Sequence, residues 1–186
     1  MPTAKSPDEV KCIFAFLLTL KQIPFIYYGD EIGMEHNYAV SKDGGGIRTG
    51  ARTPMPWTDG ENKGFSVSKE LYLPVSDKKG VDVESQQNAE DSLLNTVKKL
   101  IGIKKSNSCF NVSSGQKFKK TGYPCVFERY DENSTATVMI NPTDKEFKVK
   151  RIRGEILLSN NASVEDKKII LGKESFVIIK SVRSRG

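Results

Sequence analysis

The first half of this sequence contains a single predicted buried strand, and that feature constrains the fold more than any other. The segment IPFIYY at 23–28 is apolar and aromatic and is closed by Gly29, which is typical of a short buried strand. A predicted helix precedes it directly, so the pair indicates an α/β unit with a parallel sheet. A lone parallel strand needs neighbours on both sides. The first half is therefore predicted to be a fragment of a larger fold.

Helices are predicted before and well after this strand. Ser6 is expected to cap the first helix, with Pro7 in its first position and Glu9 completing a capping box. Apolar residues follow at helical spacing, and the helix is predicted to end near Lys21. Asp91 is predicted to cap a second helix.

The stretch between about Gly33 and Val83 is polar, glycine-rich and without periodicity, and loops of this length often carry function. Its hexapeptide RTPMPW contains the only tryptophan and two of the eight prolines. The prolines fix the local path of the chain. Trp57 offers a flat apolar face, and Arg52 offers a forked donor suited to hydroxyls and carboxylates. Either these side chains bind a ligand, or Trp57 packs the loop and Arg52 pairs with an acid.

From about Phe110 onward, short apolar runs such as CVFERY, ATVMI and SFVIIK alternate with the turn sequences DENS, NPTD and SNNAS. Regular short strands of this kind predict an antiparallel β-sandwich. The predicted fold class is therefore α/β plus all-β. The predicted domains are residues 1–108 and residues 109–186.

The net charge is +6, from 29 basic and 23 acidic residues. This balance would suit a nucleic-acid surface. However, the basic residues are scattered and alternate with apolar ones in KFKK, KVKRIR and KSVRSR, which is typical of the solvated face of strands. No apolar run approaches the roughly 18 residues of a membrane span. Neither a nucleic-acid partner nor a membrane is therefore expected.

The three cysteines, Cys12, Cys109 and Cys125, have no CxxC spacing, and the only histidine is His36. These residues do not make a metal site, so we expect free thiols, no cofactor and a reducing compartment. The first ten residues lack the basic start and apolar run of a signal peptide. A cytoplasmic protein is therefore predicted.

Asp30 and Glu31 follow the predicted strand, where the active site of a (β/α)₈ barrel would lie. The two carboxyls of a glycosidase must face each other across a bond, roughly 5–10 Å apart. Successive residues of an extended segment point in opposite directions. We therefore expect these acids to bind loop backbone or arginine partners rather than to react.

Five motifs resemble, in the same order, glycoside hydrolase family 13, in its α-glucosidase, oligo-1,6-glucosidase and trehalose synthase branch. They are IPFIYYGDEIGM, RTGARTPMPW, NKGFS, LYLPV and DSLLNTVKKLIGIKK. The resemblance implies that residues 1–108 are the last part of a (β/α)₈ TIM barrel, with strand eight at 24–28. The remaining residues are similar to that family's C-terminal β-sandwich in their pattern of short strands and turns.

The resemblance also implies which reacting groups are missing. The family's nucleophile, acid/base and stabilising carboxylates follow barrel strands four, five and seven, and the last usually lies in an Asn-His-Asp segment that this sequence lacks. None of these roles is assigned to Asp30, Glu31 or Asp43. The chain alone is therefore expected to be inactive, with the missing N-terminal barrel portion as a possible partner.

The resemblance gives the substrate-binding residues. Arg52 matches the arginine that reaches toward the terminal sugar subsite, and Trp57 and Arg48 are the other candidates, so the expected ligand in the intact enzyme is an α-linked oligosaccharide. Gln22 stands where the family commonly has glycine, and mild strain is predicted there.

The alternative function is a non-catalytic carbohydrate-binding or interaction module. It predicts saccharide binding without hydrolysis. The glycosidase interpretation instead predicts an exposed apolar surface around Phe25–Tyr28, with aggregation or pairing with a complementary chain.

Overall fold

The computed structural model describes residues 6–42 and 44–183, which divide into two compact units. One unit comprises residues 26–96, and we call it the loop unit. The other comprises residues 6–25 together with 97–183, and we call it the sheet unit. The predicted domain boundary at residue 108 stays a prediction. Asp43 lies outside the described residues.

Helix α1 spans Pro7–Thr19 and begins as the sequence predicts. Ser6 Oγ accepts a hydrogen bond of 3.1 Å from the backbone N–H of Glu9, and proline takes the first helical position. The helix ends two residues before Lys21. Leu20 is the C-cap residue, and its backbone N–H donates to the Phe16 carbonyl.

The predicted strand at 23–28 is wrong for this structure, because these residues have no ladder partner. A parallel strand requires neighbours that bond its backbone and cover its faces, and the described residues supply none. Phe25 is 89% exposed and Ile23 is 70% exposed, so the expected exposed apolar surface is present. Gln22 is not among the described residues with positive φ, so the expected strain is absent there.

The loop unit is built from turns, as the absence of periodicity predicts. Tight 3₁₀ turns at Asp30–Ile32 and Gly46–Ala51 are followed by the short helix α2, Val83–Asn88, which was not predicted. Helix α3, Leu93–Ser106, begins in this unit and continues into the sheet unit. A small apolar core holds the turns together and consists of Ile32, Met55, Val81 and Leu94.

The caps of these two helices have clear chemical causes. The Asp82 carboxylate accepts the backbone N–H of Ser85 at 2.7 Å and so caps α2. For α3, the predicted cap at Asp91 is wrong by one residue. The Ser92 hydroxyl accepts the Asn95 N–H at 3.1 Å, which is the geometry of an N-cap.

The sheet unit contains one six-stranded antiparallel sheet in the order β1-β2-β3-β6-β4, with β5 also paired to β6. The strands are β1 Gly115–Lys120, β2 Cys125–Tyr130, β3 Ser134–Asn141, β4 Phe147–Lys150, β5 Glu155–Val164 and β6 Lys168–Val182. The antiparallel β region is thus confirmed. Its strands join in one curled sheet rather than in two separate sheets of a sandwich.

The curl comes from the long strand β6, which pairs with β4 through residues 168–171 and with β3 through residues 175–182. Between these stretches Glu174 has φ 45°, and Asn161 of the paired strand β5 has φ 50°. A bulge lies at the same place in β5 and bends both strands. Both ends of β6 therefore contribute to one enclosed apolar core, formed by Met139, Ile169, Leu171, Val177 and Ile179.

Helix α1 packs on β3 and β6, and Phe16 meets Phe127 edge to face at 5.9 Å between ring centres. The fully buried Arg129 donates to the backbone carbonyls of Thr19 at 2.9 Å, Asn111 at 2.6 Å and Gly115 at 3.2 Å. Its charge thus lies at the C-terminal end of α1, where a helix favours cations. Among the described residues, no helix has the length and apolar character needed to cross a membrane.

Candidate functional site

The hexapeptide RTPMPW is anchored through its middle. Thr53, Pro54, Met55 and Pro56 are buried, and the methionine belongs to the apolar core of the loop unit. The start of α2 holds the backbone at the C-terminal side, because Val83 N–H donates to the Pro56 carbonyl at 3.1 Å. The sequence therefore uses its prolines and methionine to fix the path of a loop.

The two ends of this anchored segment are exposed. Trp57 is 49% exposed, and its backbone is fixed by bonds to the Lys63 carbonyl at 2.8 Å and from the Glu84 N–H at 2.9 Å. Arg52 is exposed as well. It forms no ion pair with any acid among residues 6–42 and 44–183, so the acid partner considered from the sequence is not observed. Arg52 and Trp57 are therefore both exposed at the ends of a buried segment.

Two tyrosines that the sequence interpretation did not select lie beside this segment. The rings of Tyr27 and Tyr28 are 4.6 Å apart, and the Tyr28 hydroxyl donates to the Thr53 carbonyl at 3.1 Å. Burial raises the pKa of Tyr28, its neighbour Tyr27 adds to the rise, and the positive charge of Arg52 opposes it. The sequence feature that could have identified these tyrosines is the pair of adjacent aromatic residues before Gly29.

The adjacent acids behave differently from each other. Asp30 Oδ2 accepts the backbone N–H of Tyr27 at 3.2 Å, as predicted for a carboxylate that holds loop backbone. Glu31 Oε2 is buried and has no hydrogen-bond partner among the described residues, so the expected arginine partner is not present at this oxygen. Asp30 is thus occupied in fixing the turn that carries the two tyrosines.

Arg48 is exposed on the 3₁₀ turn Gly46–Ala51. This turn is tied to the preceding segment by His36 Nε2, which lies 2.7 Å from the Ile47 carbonyl and so carries the proton. The Asn37 N–H donates to the Gly50 carbonyl at 3.0 Å. A Cβ at position 50 would come within 2.0 Å of the Asn37 oxygen, so this approach requires glycine.

Gln86 connects several parts of the loop unit through its buried side chain. Its Nε2 donates to the carbonyls of Ile32 at 2.8 Å and Gly80 at 3.0 Å, and its Oε1 accepts the Leu94 N–H at 3.0 Å. All of these groups are backbone atoms of turns or of the start of α3. Gln86 therefore positions the turns, although nothing in the sequence pattern marks it out.

These groups suit binding better than reaction. The two guanidinium groups are hydrogen-bond donors, and the indole and phenol rings offer flat faces. Within residues 6–42 and 44–183, no cluster of three His, Cys, Asp or Glu side chains could hold a metal ion. The three cysteines are free thiols in the structure, and Cys12 and Cys109 are buried.

Comparison with known sequences gives one family and several relatives. The family model for the alpha-amylase catalytic domain matches residues 3–113. Trehalose synthase/amylase TreS of Mycobacterium tuberculosis is 35% identical over 116 residues, which are 59% of this chain and 18% of that protein. Alpha-amylase 3 of Dictyoglomus thermophilum is 32% identical over 173 residues, which are 88% of this chain and 32% of that protein.

Solved structures show the same fold. Trehalose-6-phosphate hydrolase of Bacillus licheniformis has a TM-score of 0.81 at 19% identity, over 95% of this chain and 39% of that one. Isomaltulose synthase of Klebsiella has a TM-score of 0.79 at 19% identity, over 95% of this chain and 38% of that one. The chain thus spans between about a fifth and two fifths of the length of these proteins.

Proposed function

This chain belongs to the alpha-amylase family, and we propose that it forms the substrate-binding end of a retaining α-glucosidase-type enzyme acting on short α-glucans or disaccharides. The resemblance to glycoside hydrolase family 13 drawn from its motifs is confirmed. We assign residues 1–108 to the last part of the (β/α)₈ barrel and residues 109–186 to the C-terminal antiparallel β domain of that family. Its relatives include alpha-glucosidases and trehalose synthases, which supports this substrate class.

One observation carries the proposal: Arg52 and Trp57 are exposed at the two ends of a segment whose middle is buried. Hydrogen bonds hold the backbone of both residues before a ligand arrives, so less backbone freedom is lost on binding. The guanidinium donates to sugar hydroxyls, and the indole packs against the apolar face of a sugar ring. Arg48 contributes a second cation from the neighbouring turn. These three residues are the proposed substrate-binding set.

The proposed enzyme uses two carboxyl groups that this set does not contain. In a retaining glycosidase one carboxylate attacks the anomeric carbon and the other protonates the leaving oxygen, and the two groups lie about 5–5.5 Å apart. In the loop unit, Asp30 holds the backbone of Tyr27 instead. We therefore propose that the 186 residues by themselves do not hydrolyse glycosides. The exposed segment around Phe25 is the proposed contact for the remaining barrel strands.

The test is glucose release from maltose, isomaltose and trehalose by the purified chain. The positive control is the alpha-glucosidase of Apis mellifera, which is 32% identical over 114 residues. We expect no release above the buffer blank from any of the three sugars, at enzyme concentrations where the control consumes the maltose. Glucose release that scales with the concentration of the chain would overturn the proposed inactivity.

The alternative is a non-catalytic carbohydrate-binding module, which the exposure of Trp57 also fits. Because this is the only tryptophan, its fluorescence reports directly on the proposed sugar contact. A module predicts a saturable change with maltose that Arg52→Ala abolishes. The leading proposal predicts no saturable change in the low-millimolar range, because the subsite is incomplete without the rest of the barrel.

We also propose a reducing, cytoplasmic location. The three free thiols support it, since oxidising compartments favour disulfides. Fractionation of cells that express the natural protein, with detection by a specific antibody, tests it. Recovery in a secreted or membrane fraction would contradict it.

A further inference from the structure

A groove in the sheet unit is lined only by charged side chains. They are Lys150, Arg151, Arg153, Asp166 and Lys167, and the groove has a volume of about 560 Å³. Four cationic groups line it against one carboxylate, so its potential is positive. The groove is formed by the end of β4, the segment that follows β4 and the turn between β5 and β6.

The cations of this groove are poorly neutralised. Asp166 is fully exposed, and its Oδ1 lies 4.0 Å from Nη1 of Arg151, a contact of little value at a solvated surface. Over the described ranges 6–42 and 44–183, no ion pair involves Lys150, Arg153 or Lys167. Three positive charges are therefore available to a ligand.

The strand register places two like charges opposite each other. Lys150 of β4 is the direct partner of Lys168 of β6, and directly opposed like charges destabilise a sheet. Glu165 Oε2 lies 3.2 Å from Lys168 Nζ and neutralises the charge of that lysine. Lys150 keeps its charge. An anion bound in the groove would neutralise the remaining charge of Lys150.

Hydrogen bonds to backbone carbonyls hold the two sides of the groove together. The Arg151 N–H donates to the Lys167 carbonyl at 3.1 Å, and Nη1 of the same arginine donates to the Glu165 carbonyl at 3.2 Å. The Glu165 N–H donates to the Lys168 carbonyl at 2.9 Å and closes the turn. The cationic side chains thus project from a framework that is set before any ligand binds.

Edge protection explains only part of this arrangement. Strand β4 lies at the edge of the sheet, and lysines on edge strands prevent pairing with other chains. This accounts for Lys148 and Lys150. It does not account for Arg153 and Lys167, which lie outside β4 and line the same groove.

We propose that this groove binds a small, multiply phosphorylated anion. Phosphate oxygens accept charge-assisted hydrogen bonds from lysine and from the forked arginine donor. The volume lies within the range of about 300–1,000 Å³ that is usual for small-ligand sites. The groove residues belong to the sheet unit and include none of the proposed sugar-binding residues, so this proposal does not rest on the proposed function.

The test uses tripolyphosphate as the probe and isothermal titration calorimetry on the whole chain. The groove variant carries Lys150→Ala, Arg153→Ala and Lys167→Ala. The matched control carries Lys98→Ala, Lys105→Ala and Lys145→Ala, which remove the same charge from exposed positions elsewhere in the sheet unit. Circular dichroism verifies that both variants fold.

We expect saturable binding that weakens with salt, a loss of about tenfold or more in the groove variant and a change within about twofold in the control. Equal losses in the two variants would overturn the proposal, as would absence of binding to the original chain. A single-stranded oligonucleotide of mixed sequence is the second probe. Binding of that polymer without binding of tripolyphosphate would also overturn it and would identify a nucleic-acid surface instead.

Discussion

The sheet unit and the loop unit keep their structure in different ways. In the sheet unit, apolar side chains from both ends of β6 fill one core, and ladders satisfy the backbone. In the loop unit, four buried apolar residues form the core, and side chains such as Gln86 and Asp82 satisfy much of the backbone. The sheet unit, whose apolar residues are periodic, is thus stabilised mainly by its apolar core. The loop unit, which has no periodicity, depends on a few specific polar contacts. The proposed substrate-binding side chains belong to the second kind.

The largest effect is expected from Arg129→Met in the sheet unit. The variant keeps much of the side-chain volume but leaves the carbonyls of Thr19, Asn111 and Gly115 without their donor. We expect the free energy of unfolding to fall by about 3–5 kcal/mol, measured by urea denaturation with far-UV circular dichroism.

The control for this prediction is Arg183→Met. Arg183 is exposed and lies over the ring of Tyr130 at 4.7 Å, so its loss should cost less than about 1 kcal/mol. Equal stabilities of the two variants would contradict the role assigned to the buried guanidinium.

The second-largest loss of stability is expected in the loop unit. Gln86→Leu removes the partner of two buried backbone groups and one partly buried group, and we expect a loss of about 2–4 kcal/mol. Trp57 is the only tryptophan and lies in this unit, so its fluorescence follows the unfolding of the loop unit. Gln87→Leu, at an exposed neighbour, is the matched control and should leave the fluorescence transition unchanged. Identical behaviour of the two leucine variants would refute the bridging role of Gln86.

A smaller effect is expected from Gly50→Ala. The new methyl group would meet the Asn37 oxygen, and relief of that clash should cost about 1–3 kcal/mol in the fluorescence transition. Gly60→Ala is the control, because φ there is −76° and the nearest atom, the Thr58 hydroxyl oxygen, is 3.4 Å away. A Gly50 variant as stable as the Gly60 variant would show that the turn carrying Arg48 is not tightly held.

The smallest effect is a pH dependence of the sheet unit. Hydrogen bonds from the Ser108 hydroxyl and from the backbone at Asn133 and Ser134 lower the pKa of Asp131 from 3.8 to about 2. Because the folded-state pKa is the lower one, this carboxylate stabilises the fold above pH 3.8, and the contribution is lost as the pH falls through about 2. Thermal melts between these pH values should show a gradual loss of stability.

Two asparagine variants isolate this carboxylate. Asp131→Asn should reduce the pH dependence, because one acid with a lowered pKa is gone. Asp144→Asn, at an exposed acid, should retain it. If the stability of the Asp131→Asn variant still changed with pH as it does in the original chain, other acids would be responsible for the pH dependence.

Local chemistry was the part of the fold that the sequence could predict. Ser6 and Pro7 give the start of α1, because capping involves only neighbouring residues. The strand at 23–28 could not be predicted correctly, because its formation depends on neighbouring strands that the described residues do not contain. The bend of β6 escaped prediction for a related reason, since it depends on pairing with both β3 and β4.

The candidate site was predictable in part. The motif gave Arg52 and Trp57, and the structure shows both exposed, but their role in binding stays a prediction. The contact between Tyr28 and Thr53 joins residues 25 positions apart, and Gln86 reaches 54 positions back to Ile32. Contacts at such separations leave no periodicity in the sequence.

We propose that this chain contributes residues that bind substrate and that its own carboxylates do not react with it. A fluorinated α-glucosyl fluoride tests it most directly, because retaining glycosidases form a covalent glycosyl-enzyme intermediate that such a donor traps. The account predicts that the intact mass of the chain is unchanged after incubation with this reagent, while the Apis mellifera enzyme gains one glycosyl group. A stoichiometric glycosyl adduct on an Asp or Glu of this chain would contradict the account.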